Sequence, residues 1–313
     1  MKVAFVFPGQ GSQSVGMGRE FYENYPEARA VFEKADRALG FSISEMCFAG
    51  PEAELNKTIN TQPAVLTVSV ACLEIIKRAG GPVPSAVAGH SLGEYSALVA
   101  AGSLSFEDAV RLVRKRGQYM QEAVPLGAGG MAAVMGLSGE EVQEVCRKAS
   151  SAGIVEAVNL NCPGQVVVAG DNNGLKAAAL LAKEAGAKRF IPLTVSAPFH
   201  SSMMKPAGAR LAADLDKISV ADPGVPVVAN VTADFVRTGP EARALLVRQV
   251  YSPVRWEESV RLLVSAGVTD VVEIGPGKVL SGLVKKISRE LKVGNVEDRA
   301  SLEKALALVG EVG

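Results

Sequence analysis

Four short apolar runs, Val3 to Phe7, Ala86 to Ala88, Pro226 to Ala229 and Asp270 to Ile274, are separated by much longer stretches in which apolar residues recur at helical spacing. Strands alternating with helices predict an α/β fold in which a parallel sheet lies beneath helical layers. One region breaks the rhythm. After the glycine run at Gly127 to Gly130, the chain reads strand (Met131 to Leu137), helix (Ser138 to Ser151) and strand (Ile154 to Leu160). It continues as strand (Gln165 to Ala169), helix (Asp171 to Gly186) and strand (Lys188 to Val195). That βαββαβ order is the split pattern of ferredoxin-like folds. A small α+β domain at 128–196 is therefore expected as an insertion into a larger α/β domain made of 1–127 and 197–313, with a ligand cleft between them.

The 313 residues are 48% hydrophobic, enough for one large core and a smaller second one. Lys plus Arg and Asp plus Glu both total 33, so no global field draws the chain to nucleic acid or to an anionic membrane. The opening "MKVAFVFPGQ" carries one lysine and an apolar run that Pro8 ends, too brief for a signal-peptide core or a membrane span. Cys47, Cys72, Cys146 and Cys162 are scattered without metal-like pairing, and a chain of this size needs no disulfide staples. Reduced thiols, a cytoplasmic location and no metal site are the expectation.

Chemistry enters in "VAGHSLGEYSALVAAG", residues 87 to 102, where Gly89, Ser91 and Gly93 have the Gly-x-Ser-x-Gly spacing between a short strand and an amphipathic helix. A nucleophile held at so sharp a turn needs neighbours without side chains. The helix that follows puts the Leu92 amide and the positive end of the helix dipole where an oxyanion would develop. A serine N-cap beside packing glycines would have the same spacing.

The candidate base is found by elimination, because the chain has two histidines, His90 and His200. Successive side chains leave a strand on opposite faces, so His90 should point away from the Ser91 hydroxyl and pack behind the turn. His200, in "TVSAPFHSSMM" where the insertion returns to the large domain, lies in a loop of the kind that faces clefts. A hydrolase triad would add an acid between serine and histidine. Asp171 and Glu184 lie in the insertion with nothing to place them beside His200, so a Ser-His dyad oriented by an amide or carbonyl is as acceptable as a triad.

In "FVFPGQGSQSVGMG", Gly9 and Gly11 allow close backbone approach, but Ser14 stands where a dinucleotide loop needs its third glycine. No Walker pattern is present. The glycine-flanked Gln10 after the first strand instead fits the second oxyanion donor of an elbow enzyme. Further on, a helix beginning near Ser105, with Asp108 suggesting a capping box, carries Ala109, Leu112, Val113 and Met120 on its apolar stripe. Arg116 falls on that stripe, and an inward guanidinium needs an anion. A buried glutamate could supply it. So could a substrate carboxylate, which arginine's fork binds in bidentate fashion.

"FPGQGSQ", "NTQPA", "GHSLGEYSAL", "RKRGQYMQEA", "NCPGQVVVAG", "APFHSSMM", "QVYSPVRWEES" and "EIGPGKVLSGL" run in this order along nearly the whole chain. With these segments the sequence closely resembles the malonyl-CoA:acyl carrier protein transacylases of dissociated bacterial fatty acid synthesis. The resemblance implies an α/β-hydrolase-like large domain with a ferredoxin-like insertion. It further implies Ser91 as nucleophile, His200 as base, the Gln10 and Leu92 amides as oxyanion hole, and Arg116 on the malonyl carboxylate. Gln249 would orient the imidazole through its main-chain carbonyl, and Phe199 resembles the malonyl-selective version of its motif. Malonyl-CoA and acyl carrier protein are then the partners, and CoA and phosphopantetheine enter only as carriers, with no bound cofactor. A monomer is expected. Lys285, Lys286, Arg289 and Lys292, near the C-terminal helix, are candidates for docking an acidic carrier. A discrete acyltransferase for a polyketide synthase and a serine thioesterase share the same residues and stand as alternatives.

Overall fold

A computed structural model describes residues 2–195 and 197–310; the expected boundary at Ser196 lies outside the described residues. The chain opens with β1 (Val3–Phe7) and five helices, α1 (Arg19–Asn24), α2 (Pro26–Leu39), α3 (Ile43–Ala49), α4 (Glu52–Leu55) and α5 (Thr58–Arg78). β2 (Ala86–Gly89), α6 (Gly93–Ala100) and α7 (Phe106–Glu122) follow. A second block comprises β3 (Gly129–Met135), α8 (Gly139–Ala149), β4 (Val155–Cys162), β5 (Gln165–Asp171), α9 (Asn172–Glu184) and β6 (Arg189–Pro192). The chain then adds α10 (Lys205–Leu215), β7 (Val227–Val228), β8 (Phe235–Val236), α11 (Gly239–Gln249) and α12 (Trp256–Ser265). It ends with β9 (Asp270–Ile274), α13 (Val279–Ile287), β10 (Lys292–Val296) and α14 (Arg299–Gly310).

Six strands form one sheet in the order β10-β9-β1-β2-β7-β8, parallel throughout except for the β7–β8 pair at one edge. Every residue of β1, β2 and β9 is buried, as expected of strands covered on both faces. Alternate residues of β1 supply opposite layers. Phe5 and Phe7 pack with Phe32, Leu66 and Leu98, whereas Ala4 and Val6 pack with Trp256, Leu263 and Val284. Helix α5 has the length and apolarity to cross a membrane, but 89% of its most apolar window is buried inside this fold.

The second block forms an antiparallel sheet ordered β4-β5-β3-β6, the ferredoxin-like arrangement. Val142 and Val145 of α8 and Ala178 and Ala182 of α9 cover one face over Val134 and Val168. From the other face Met131, Val167 and Ala169 join the large core. Main-chain bonds between Val254 and the Val158–Leu160 stretch of β4, at 2.8 and 2.9 Å, tie the two sheets' supports together.

Three local expectations change. β7 is two residues long rather than four, because the chain turns directly into the β8 edge. "KVGNV" is the edge strand β10, so Lys292 sits on a strand and not near a helix end; Gly294 and Asn295 depress its strand signal. The capping box forms at Ser138 and Glu141, whereas Ser105 accepts from the Asp108 amide without the reciprocal bond to its own amide.

Candidate active site

Parallel pairing of Phe7 with Gly89 sets the carboxyl ends of β1 and β2 side by side, so the loop carrying Gln10 lies against the turn carrying Ser91. That turn is packed backbone to backbone. A Cβ on Gly89 would stand 1.9 Å from the carbonyl carbon of Gly93, and one on Gly93 would stand 2.0 Å from the Phe7 carbonyl oxygen. Ser91 itself has φ of 52°, in the left-handed region that L residues occupy only when the surroundings enforce it. Enforcement comes from two buried amides. Asn230 Oδ1 accepts from the Ser91 amide at 2.7 Å, and Gln249 Nε2 donates to the Ser91 carbonyl at 2.9 Å.

His200 reaches Ser91 from the connection between the insertion and α10. Its Nε2 lies 2.7 Å from Ser91 Oγ, and its Nδ1 lies 2.7 Å from the main-chain oxygen of Gln249. A carbonyl only accepts, so Nδ1 carries the proton and the Nε2 lone pair faces the serine hydroxyl. Burial, with Arg116 nearby, pushes the imidazole down to about 3 and keeps it neutral at ordinary pH. His200 also has a positive φ, 63°, and its loop is anchored by Ser202, whose amide donates to Glu156 of β4 at 2.8 Å. His90 turns the other way, its Nε2 on Asn161 Oδ1 at 2.8 Å and its ring 5.7 Å from that of Trp256.

Arg116 lies on the buried stripe of α7 with 1% of its surface exposed. Its partners are neutral. Nη1 donates to Gln62 Oε1 at 2.8 Å, and Nη2 donates to Gln249 Oε1 at 2.9 Å and to Ser91 Oγ at 3.1 Å. Of the two partners open in the sequence, a buried glutamate does not touch the guanidinium directly; Glu94 reaches it only through Gln249. Among the described residues the buried Nε has no hydrogen-bond partner. The guanidinium thus faces the serine with its charge uncompensated by direct contact.

A cavity of about 110 Å³ opens over this group, lined by Gln10, Leu92, Met131, Phe199 and His200 among others. It adjoins a groove of about 220 Å³ between the sheets, and Gln10, His90, Asn159 and Leu193 line both. The amides of Gly93, Glu94 and Tyr95 are committed to the carbonyls of His90, Ser91 and Leu92. All six residues expected at the site, Gln10, Ser91, Leu92, Arg116, His200 and Gln249, therefore meet in one place. Lys285, Lys286 and Arg289 lie exposed at and just beyond the end of α13, and Lys292 begins β10. Among the described residues no group of three or more His, Cys, Asp or Glu side chains is placed to hold a metal ion.

Sequence reasoning missed Gln62, Glu94 and Asn230. Glu94 is 2% exposed and accepts from Asn230 N at 2.9 Å and from Gln249 Nε2 at 2.8 Å. A carboxylate in an otherwise small and apolar helix turn, three residues after the serine, was the available signal for Glu94. Nothing comparable marked the two neutral amides.

A serine, a neutral imidazole and an inward guanidinium sharing one hydroxyl can pass an acidic acyl group between nucleophiles, and comparison with known proteins points the same way. The profile of the acyl transferase domain matches residues 4–310. The malonyl CoA-acyl carrier protein transacylase of Bacillus subtilis (strain 168) is 52% identical over 311 residues, 99% of this chain and 98% of that one. The crystal structure of acyl-carrier-protein S-malonyltransferase from Burkholderia pseudomallei 1710b superposes with a TM-score of 0.96 at 52% identity, covering 98% of this chain and 100% of the other. A malonyl-transacylase solved with its type II PKS acyl-carrier protein gives 0.95 at 46% identity, covering 98% and 99%. With its fold and nearly its whole length matched, the chain belongs to the acyl transferase family.

Proposed function

We propose that this protein transfers a malonyl group from malonyl-CoA to the phosphopantetheine thiol of an acyl carrier protein through a malonyl-serine ester, supplying fatty acid elongation. The observation that carries the reading is a single atom, Ser91 Oγ, held at 2.7 Å from His200 Nε2 and at 3.1 Å from Arg116 Nη2. A malonyl carboxylate is one methylene away from the thioester carbonyl. A cation that recognises it must therefore stand beside the nucleophile, as Arg116 does.

His200 Nε2 takes the hydroxyl proton as Ser91 Oγ attacks the thioester carbon, and the main-chain amides of Gln10 and Leu92 receive the developing oxyanion. As the tetrahedral adduct collapses, the C–S bond breaks and the proton passes from His200 to the departing CoA thiolate. The carrier's thiol then gives its proton to His200, attacks the ester carbonyl and releases Ser91, which recovers the proton. Gln249 holds the imidazole through its main-chain oxygen, the part an acid plays in a triad. Protons and acyl group balance without a bound cofactor, CoA and phosphopantetheine entering as carriers. Arg116 would hold the malonyl carboxylate in bidentate fashion, and Phe199, lining the cavity, would restrict the acyl α-carbon and disfavour a methylmalonyl group.

The carrier is acidic in this reading and docks on the exposed Lys285, Lys286, Arg289 and Lys292. Four free, buried cysteines support a reduced, cytoplasmic setting. The protein acts as a monomer, in keeping with large exposed apolar residues such as Val83, Leu126 and Leu180 that lie on separate segments. Labelled malonyl-CoA incubated with and without carrier protein tests the function: label should move to the carrier. Free malonate as the sole product would identify a thioesterase instead.

A further inference from the structure

We propose that Glu94 is a positioning residue for acyl transfer, a carboxylate that acts through Gln249 and Asn230 to hold Ser91, Arg116 and His200 in register. The inference rests on the reading of the site above and extends it to a residue that touches none of the reacting atoms.

The case begins with where the carboxylate goes. Glu94 is in the first turn of α6, yet its Oε2 leaves its own helix and accepts from the Asn230 amide and from Gln249 Nε2. Asn230 precedes β8, and Gln249 ends α11, so one oxygen joins three segments distant in sequence. Both partners grip the strained serine from opposite sides, Asn230 at its amide and Gln249 at its carbonyl.

Gln249 is the hinge of the arrangement, because Ser91 and Arg116 depend on the way its side-chain amide faces and His200 on its main-chain oxygen. Its Nε2 serves Ser91 O and Glu94 Oε2, its Oε1 receives Arg116 Nη2, and its main-chain oxygen receives His200 Nδ1. A carboxamide can be rotated to exchange its oxygen and nitrogen. An ionised carboxylate only accepts, so Glu94 fixes the nitrogen on its own side and leaves the oxygen for the guanidinium. Without it that orientation rests on the Ser91 carbonyl and on the Arg116 guanidinium it is meant to hold.

The charge has an electrostatic counterpart. Arg116 faces Glu94 from α7, Tyr95 is its neighbour on α6, and His200 approaches behind Gln249. β1 and β2, which pack on α6, carry no ionisable side chain, and Glu74, Lys77 and Arg78 of α5 lie towards its far end. Burial drives the Glu94 carboxyl up to about 7, against the hydrogen bonds and Arg116, which lower it. Its raised value means the ionised, competent form is lost as pH falls through about 7, while His200, pushed down to about 3, stays neutral across that range. An acid limb near neutrality then belongs to Glu94 and not to the base.

The experiment measures single-turnover formation of malonyl-Ser91 from malonyl-CoA, across pH, for wild type, Glu94→Ala and Glu94→Gln. Displacing a reacting group by about 1 Å can cost about a hundredfold, so E94A should acylate up to about a hundredfold more slowly with KM for malonyl-CoA little changed. E94Q keeps an acceptor oxygen but mimics the protonated acid. It should acylate at the wild type's low-pH rate and show no acid limb near 7. Wild-type acylation with E94A within about twofold of it, or the same acid limb in E94Q as in wild type, overturns the role of Glu94. Should E94A fail to fold, the E94Q profile decides alone. Wild-type protein that forms no malonyl-serine would instead remove the reading of the site on which the proposal rests.

Discussion

Replacing Arg116 by alanine separates recognition of the acyl acid from the acyl chemistry. In the free protein the guanidinium donates to Gln62, Gln249 and Ser91, all uncharged, and its buried Nε has no partner. A bound malonyl carboxylate replaces neutral contacts by charge-assisted ones, and losing one side of a buried ionic pair costs roughly 3–5 kcal/mol. An acetyl group makes no such contact. It loses only what the Arg116–Ser91 bond contributes, about 1 kcal/mol. The difference, roughly 2–4 kcal/mol, predicts that the malonyl-to-acetyl preference falls by about thirtyfold to a thousandfold. The assay is the ratio of kcat/KM for acylation by malonyl-CoA and by acetyl-CoA in wild type and R116A, with folding checked by thermal melting. A ratio unchanged while both rates fall would make Arg116 a structural charge and refute the argument. Arg116→Lys should recover only part of the preference, because an ammonium lacks the fork.

Ser91→Ala should form no malonyl adduct with malonyl-CoA, read by intact mass spectrometry; an adduct on that variant removes the serine as nucleophile. Gly93→Ala places a methyl 2.0 Å from the Phe7 carbonyl oxygen, so β1 and the elbow must separate and the melting temperature should fall by many degrees, a loss of about 3 kcal/mol or more. A melting curve like that of wild type would show the packing to be looser than described. Stability should also depend on pH through His200. The unfolded histidine binds a proton below about 6.5 and the folded one only near 3, so the unfolded state holds more protons between those values and stability falls as pH drops across that window. His200→Gln should flatten that part of the curve in denaturant titrations, and an identical slope in both proteins would contradict the neutral imidazole.

Much of the fold was legible because its signals are local. Apolar runs and helical spacing place β1 and β9 to the residue, and the βαββαβ order predicts the antiparallel sheet that α8 and α9 cover. β10 escaped because an edge strand containing glycine and asparagine carries little strand signal. At the site, the elbow glycines, the inward Arg116 and the choice of His200 over His90 all follow from spacing, face and residue scarcity. Each is a property of one segment.

The rest depended on residues brought together from far along the chain. Ser91, His200, Arg116 and Gln249 meet because parallel register sets two loops side by side and α7, α11 and the returning connection close over them. Amides such as Gln62 and Asn230, and the carboxylate of Glu94, have no distinctive spacing, since their part is to satisfy buried donors and acceptors on other segments. Sequence alone determined which residues carry reactive groups and which faces are buried. Tertiary structure decided what each buried polar atom is bonded to, because hydrogen bonds reach only about 3 Å and the partners around Ser91 lie as many as 158 positions apart.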